Sequence, residues 1–134
     1  MGTVSRFEDL EIWKLARELS KMIYSFTLRE SFSKDYKLKD QIRGASGSAM
    51  DNIAEGFEKG SRLEFVNFLS FAKGSCGEVK SQLYRALDQE YIAEGEQIEA
   101  YNQYNKLSAG ISNFISYLNQ SAIRGSKFKG RTGG

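Results

Sequence analysis

The 134-residue chain contains no histidine and no proline, and it has a single cysteine, Cys76. Histidine is the commonest general base near neutral pH and the commonest metal ligand, so its absence argues against an enzyme or a metal site. Proline is the residue that most strongly interrupts helices, so its absence favours a helical fold. A lone cysteine excludes an internal disulfide. We therefore expect a protein without catalytic residues, metal or cofactor.

Two further absences concern the location of the protein. No apolar stretch approaches the roughly 20 residues that a membrane-spanning helix needs. Residues 1–5 also lack the basic segment and following apolar stretch of a signal peptide. We therefore expect a cytoplasmic protein with no membrane contact, and the length suggests about one domain with a single core.

Apolar residues recur at intervals of three and four positions in four segments of the chain. This period predicts four amphipathic helices, each with one face toward a shared core. Because the connections are short, the simplest arrangement is an all-α fold, an antiparallel up-down four-helix bundle. The predicted helices cover residues 7–27, 36–58, 61–90 and 94–123, with a polar loop at residues 28–35.

Local signals mark the ends of some of these helices. Ser5 with Glu8, and Ser61 with Glu64, have the S-x-x-E spacing of a capping box, in which each side chain bonds the other residue's backbone N–H. Gly60 lies just past the second predicted helix, where glycine commonly ends a helix. These serines are therefore candidate N-caps of the first and third helices.

The net charge of +2 is distributed unevenly. Residues 124–134 carry four basic side chains and no acidic one, and the rest of the chain has 15 basic and 17 acidic residues. We therefore divide the chain into a bundle, residues 1–123, and a basic, glycine-rich tail, residues 124–134, which we expect to be disordered. Basic residues around an aromatic ring suit single-stranded nucleic acid, and a solubilising tail is the other interpretation. The residues concerned are Arg124, Lys127, Phe128, Lys129 and Arg131.

The first predicted helix carries a basic stripe nearly opposite its apolar face, formed by Lys14, Arg17 and Lys21. Such a stripe is either an ordinary solvated surface or a strip that binds phosphates. Trp13 lies on the flank of the same helix. An aromatic residue there packs in a core or subunit interface, or it stacks on a ligand.

Four sequence segments resemble the four helix bundle protein family, also called the 23S ribosomal RNA intervening-sequence proteins. They are FEDLEIW at residues 7–13, QIR at residues 41–43, NIAEG at residues 52–56 and the stretch 65–78. Their order and spacing carry the resemblance, which covers residues 7–118. The NIAEG segment is its most specific part.

The resemblance implies a four-helix bundle that forms a homopentamer, has no enzymatic activity and has a suspected nucleic-acid partner. It also implies kinship with accessory proteins of diversity-generating retroelements, which act beside a reverse transcriptase. The leading hypothesis is therefore a homo-oligomer that binds RNA or another nucleic acid. The alternative is a scaffold for a reverse transcriptase or another enzyme. Family members commonly carry a second arginine after Arg43, whereas this chain has Gly44, which weakens the case for a nucleic-acid-binding face on the second helix.

The residues Asn52, Glu55 and Gly56 belong to the NIAEG segment that carries the resemblance. Asn52 and Glu55 lie three positions apart, hence on one side of a helix, where they either bond to a neighbouring helix or subunit or bind a ligand. Gly56 indicates a position with little room for a side chain or an early helix end. We predict a structural or interface role for these residues and for Trp13.

Overall fold

The computed structural model describes residues 4–131 and the side chains of residues 4–121. Within residues 4–131 the fold is all-helical and contains no strand, which confirms the predicted all-α class. In this described range, a 3₁₀ turn at Phe7–Asp9 precedes five helices. They are α1 (Glu11–Thr27), α2 (Glu30–Ser33), α3 (Tyr36–Glu58), α4 (Arg62–Asp88) and α5 (Glu94–Arg131).

The four long helices enclose a single apolar core. α3 packs most extensively on α4, and α4 packs on α5, whereas α1 packs on α3 and more lightly on α5. Each long helix contributes fully buried side chains, and burying one stabilises the fold by about 1.5–3 kcal/mol. Examples are Ile23 on α1, Ile53 on α3, Leu83 on α4 and Leu107 on α5.

The predicted capping box at Ser5 and Glu8 is wrong. The 3₁₀ turn begins after Arg6 without a side-chain cap, and the backbone becomes extended at Leu10 before α1 starts. This break lets Leu10 point into the core, where only 2% of its surface remains exposed. It also places Phe7 edge-on against Trp13, with 5.1 Å between the ring centroids. The stabilisation from burying Leu10 thus outweighs the stabilisation that a continuous helix would give at the start of α1.

The segment predicted as a polar loop, residues 28–35, contains the single-turn helix α2. The reason is Phe32, which is fully buried and stacks on Tyr91 at a centroid distance of 5.0 Å. Asp35 then caps α3 by accepting a hydrogen bond from the Leu38 N–H at 3.1 Å. The same carboxylate accepts a hydrogen bond from the Tyr91 hydroxyl at 2.9 Å, which ties this connection to the segment before α5.

The predicted limits of α3 and the predicted starts of α4 and α5 are confirmed. Gly60 has a φ of 81°, the left-handed conformation that glycine adopts without steric cost. Ser61 caps α4 by accepting a hydrogen bond from the Glu64 N–H at 3.1 Å. α4 ends at Asp88, slightly earlier than predicted, and Glu90 adopts a φ of 61° in the following turn.

The register of α5 differs from the prediction at its start. Ile98, which the sequence assigns to the apolar stripe, is 49% exposed, and Gln97 and Ala100 are buried instead. The preceding turn buries Ile92, and the Glu96 carboxylate pairs with Arg29, so these two contacts set the rotation of the first turn. No helix in the described part of the chain combines the length and apolarity needed to cross a membrane.

The end of α5 also differs from the prediction. The backbone continues as helix to Arg131, past Ile123, where the apolar period ends and a disordered tail is predicted. Glycine weakens a helix by about 1 kcal/mol but does not stop it as proline does. The division of the chain at residue 123 stays a prediction.

Candidate nucleic-acid interface

The basic stripe predicted on α1 lies on the exposed side of the helix. Two of its three members sit beside acidic neighbours one turn earlier. Lys14 Nζ lies 3.4 Å from Glu11 Oε1, and Lys21 Nζ lies 3.5 Å from Glu18 Oε1. Such exposed pairs contribute only about 0–1 kcal/mol, but each places a negative charge next to the cation. The stripe is therefore less positive than its sequence suggests.

Lys14 also lines a groove between α1 and α5, with a volume of about 560 Å³. Ile12, Leu15 and Leu107 form part of its apolar lining. Its charged lining residues are two acidic and two basic side chains, Glu11, Glu18, Lys14 and Lys106. Because these charges cancel, the groove has no net attraction for a phosphate backbone.

Arg17 is the member of the stripe without a carboxylate neighbour among the described ion pairs. Its guanidinium carbon lies 5.8 Å from the centre of the Trp13 ring, within the range of a cation–π contact. Trp13 is half-buried, and its ring packs on Phe7 and against the apolar core. The structure thus brings two predicted site residues together, and it leaves both accessible from solvent.

Arg43 lies at the contact between α3 and the end of α1. Its Nε donates a hydrogen bond to Thr27 Oγ1 at 2.8 Å, and its guanidinium carbon lies 4.0 Å from the centre of the Tyr24 ring. Thr27 is fully buried, and its hydroxyl donates to the Tyr24 carbonyl at 2.8 Å. These contacts fix the guanidinium against α1.

A second tyrosine ring has a cation over it, one helical turn before Arg43 on α3. Lys39 Nζ lies 4.9 Å from the centre of the Tyr36 ring, which is 70% exposed. No motif in the sequence singles out Tyr24, Tyr36 or Lys39. The sequence does indicate that these residues lie on the flanks of the apolar faces of α1 and α3, because the helical period places them there.

Asn52 takes part in a polar contact between α3 and α4. Its Nδ2 donates to the carbonyl and to the hydroxyl of Ser48, at 2.8 and 2.9 Å. Ser75 on α4 donates to the same Ser48 hydroxyl at 3.0 Å. Glu55 is exposed one turn later and does not join this network. The structure therefore does not bring Asn52 and Glu55 into one site.

Gly56 is buried where α3 packs closely on α4. A Cβ at this position would lie 2.8 Å from Phe68 Cβ, closer than real Cβ atoms approach, and 3.0 Å from Phe65 Cδ1, which is an unusually tight contact. It would also lie 3.3 Å from the Phe65 carbonyl oxygen. The lack of a side chain is thus what permits the two helices to meet here.

A bidentate ion pair forms between Arg29, just past the end of α1, and Glu96, in the first turn of α5. Arg29 Nη1 donates to Glu96 Oε1 at 2.8 Å, and its Nη2 donates to the other carboxylate oxygen. The Ala93 N–H donates to Glu96 as well, at 2.9 Å. Hydrogen bonds from Arg29 and then from Ala93 lower the pKa of Glu96 to about 2. This pair joins the end of α1 to the start of α5.

Neither Cys76 nor the acidic residues of the described chain form a chemical centre. Cys76 is fully buried, and that burial raises the pKa of its thiol to about 11, so it packs as a small apolar residue. Among the residues described, no three histidine, cysteine, aspartate or glutamate side chains cluster in a way that could hold a metal. The side chains of Arg124, Lys127, Lys129 and Arg131 lie outside the described part, so their predicted role stays a prediction.

A solved structure shares this fold. It is the crystal structure of a protein of unknown function from the S23 ribosomal protein family of Bacteroides thetaiotaomicron. The TM-score is 0.71 at 23% sequence identity, and the alignment covers 78% of this chain and 97% of the other. At that identity the likeness establishes the fold alone. A search of curated proteins finds no significant match.

The sequence itself matches a family over most of its length. Residues 8–113 match the 23S rRNA-intervening sequence proteins. The match includes the predicted basic stripe and the NIAEG segment, and it confirms the resemblance inferred from the sequence. The chain therefore belongs to the 23S rRNA-intervening sequence protein family.

Proposed function

We propose that this chain is a non-enzymatic, homo-oligomeric four-helix bundle that binds RNA or another nucleic acid. The observation that carries the proposal is the family match over residues 8–113, because the family is described by its link to an intervening sequence of 23S rRNA. Arg17 on α1 and the basic residues 124–131 supply positive charge for phosphate contacts.

Contacts between α3 and α4 support the antiparallel arrangement in this proposal. Arg85 donates to Gln41 at 2.9 Å, and Ser75 donates to Ser48. The partner numbers on α4 thus fall as those on α3 rise, as expected for neighbouring helices that run in opposite directions.

Exposed apolar residues on α4 support assembly of several copies. Leu63 is 69% exposed and Phe71 is 52% exposed, and their spacing of eight residues places them on one side of the helix. Large exposed apolar side chains on one face are typical of protein interfaces. Following the family resemblance, we propose a homopentamer, in which five copies multiply weak nucleic-acid contacts.

The test is binding of single-stranded RNA across a salt series by the full chain and by a form that ends before Gly125. Each neutralised phosphate should add about 0.7 to the slope of log affinity against log salt. We expect both forms to bind and the shortened form to have the smaller slope. If neither form binds at about 100 mM salt, the proposal is wrong.

The exposed apolar face also favours the second candidate, a scaffold for a protein such as a reverse transcriptase. This function predicts that a defined protein partner stays bound after nuclease treatment and that no nucleic acid co-purifies. Purification from cells with and without nuclease, followed by sequencing of any bound nucleic acid, separates the two functions.

A further inference from the structure

We propose that single-stranded nucleic acid binds along the boundary of α1 and α3, where unpaired bases stack on aromatic rings and phosphates contact the cations beside them. This inference rests on the proposed function and names its site. We call the surface the α1–α3 face. It consists of Trp13, Arg17, Tyr24, Tyr36, Lys39 and Arg43.

Each aromatic ring of the α1–α3 face has a cation next to it. The distances from cation to ring centre are 5.8 Å for Arg17 and Trp13, 4.0 Å for Arg43 and Tyr24, and 4.9 Å for Lys39 and Tyr36. Tyr24 and Tyr36 remain 48% and 70% exposed, so their rings are open to a ligand. Aromatic rings combined with positive charge are how proteins bind single strands without reading their sequence.

The α1–α3 face carries three cations, and the acidic residues nearest to them along α3 are Asp35, four positions before Lys39, and Asp40, three positions before Arg43. None of its three cations takes part in an ion pair among residues 4–121, in contrast to Lys14 and Lys21. The helical period places α1 residues 13, 17, 20 and 24 on this flank, and places α3 residues 36, 39, 43, 47, 50, 54 and 57 on the facing flank. No acidic residue occupies any of these positions.

Among the described side chains, Arg43 is the cation of this face that a hydrogen bond holds in place. Its Nε donates to the buried Thr27 hydroxyl, which holds the guanidinium over the Tyr24 ring. The terminal nitrogens make no hydrogen bond within the described side chains, so they can donate to a phosphate as a pair. A fixed guanidinium loses little side-chain freedom on binding.

The length of the α1–α3 face suits several nucleotides. Trp13 and Tyr24 lie eleven residues apart on α1, which corresponds to about 16 Å along the helix. Stacked nucleotides of one strand repeat at about 3.4 Å, so this distance covers roughly five of them. In a duplex the base faces are covered by their neighbours, and we therefore expect selectivity for single strands.

The experiment measures binding of a labelled 12-nucleotide single-stranded RNA, and of the matching duplex, to the full chain by fluorescence anisotropy. The variants Tyr24→Leu and Tyr36→Leu remove one ring each, and Tyr24→Phe keeps the ring. Tyr84→Leu is the matched control, because Tyr84 is 50% exposed on α4, outside the α1–α3 face. Circular dichroism and thermal unfolding establish that each variant folds.

We expect each loss of a ring to weaken single-strand binding by between about fivefold and a hundredfold, and Tyr24→Phe and Tyr84→Leu to change it little. Arg17→Gln and Lys39→Gln should each lower the salt slope by about 0.7. The duplex should bind more weakly than the single strand.

Other outcomes identify which proposal fails. If the wild type binds RNA and the ring variants bind equally well, the α1–α3 face is not the site, although the proposed function holds. Equal affinity for the duplex would exclude base stacking. If the ring variants change the mass of the particle in light scattering but not RNA binding, this face is a contact between subunits. No RNA binding by the wild type would end both proposals.

Discussion

At the scale of single residues, Gly56 controls the distance between α3 and α4. An alanine Cβ there would overlap Phe68 Cβ at 2.8 Å, and the nearby Phe65 carbonyl belongs to the backbone, which cannot rotate away. We predict that Gly56→Ala lowers the free energy of unfolding by about 1–3 kcal/mol, the usual cost of overpacking a core. Urea unfolding followed by circular dichroism measures the change.

Gly44 provides the matched control on the same helix. It is exposed, and nothing lies within 4 Å of a Cβ built at its position. Gly44→Ala should therefore raise the stability by up to about 1 kcal/mol, because alanine favours a helix more than glycine does. If Gly56→Ala and Gly44→Ala change the free energy of unfolding equally, the close contact between α3 and α4 at Gly56 does not exclude a side chain there.

At the scale of helices, the pair of Arg29 and Glu96 connects α1 to α5. The Glu96 pKa of about 2 lies below its ordinary value of 4.5, so the unfolded chain binds this proton more readily than the folded one. Its contribution to stability is therefore complete above pH 4.5 and is lost as the pH falls toward 2. We predict that Glu96→Gln destabilises the protein at pH 7 and that its difference from the wild type shrinks over that range.

Urea unfolding of wild type and variant at several pH values between 7 and 2.5 measures this difference. Glu99→Gln is a suitable control, since Glu99 is exposed on the same helix and belongs to none of the ion pairs among residues 4–121. A difference for Glu96→Gln that stays constant down to pH 2.5 would contradict the assignment of the low pKa to this pair.

The helices themselves follow largely from the sequence. The period of apolar residues and the signals at Gly60 and Ser61 predict α3 and the starts of α4 and α5, because these signals act within a few residues. The break at Leu10 and the turn around Phe32 were not predictable, since both depend on burial against distant parts of the chain. The rotation of α5 at Ile98 depends in the same way on Arg29, 67 residues from Glu96.

The candidate site was predictable only in part. The sequence singles out Trp13 and Arg17, but their contact is local, one turn apart on α1. The contact of Tyr24 with Arg43 requires α1 and α3 to pack side by side. A helical period identifies the side of a helix that faces the core, but it does not identify which helix lies on each flank. The α1–α3 face therefore emerges only from the packing.

At the scale of the whole molecule, the proposed assembly makes a simple prediction. Light scattering should give a particle of five times the chain mass of 15.1 kDa. Leu63→Asp should lower this mass without unfolding the chain. The Leu63 side chain is 69% exposed in the single chain, so an introduced charge destabilises the protein only where an interface between copies buries it. A mass of one chain at every concentration would exclude the homo-oligomer.

The burial of Cys76 makes the protein convenient for spectroscopy. A thiol with a pKa of about 11 is almost wholly protonated at pH 7, and its position in the core also keeps reagents away. A cysteine introduced on the surface would then be the preferred target of a maleimide dye or spin label, with the native residue left in place. Distances between labels on neighbouring copies could thus be measured in the otherwise unaltered protein.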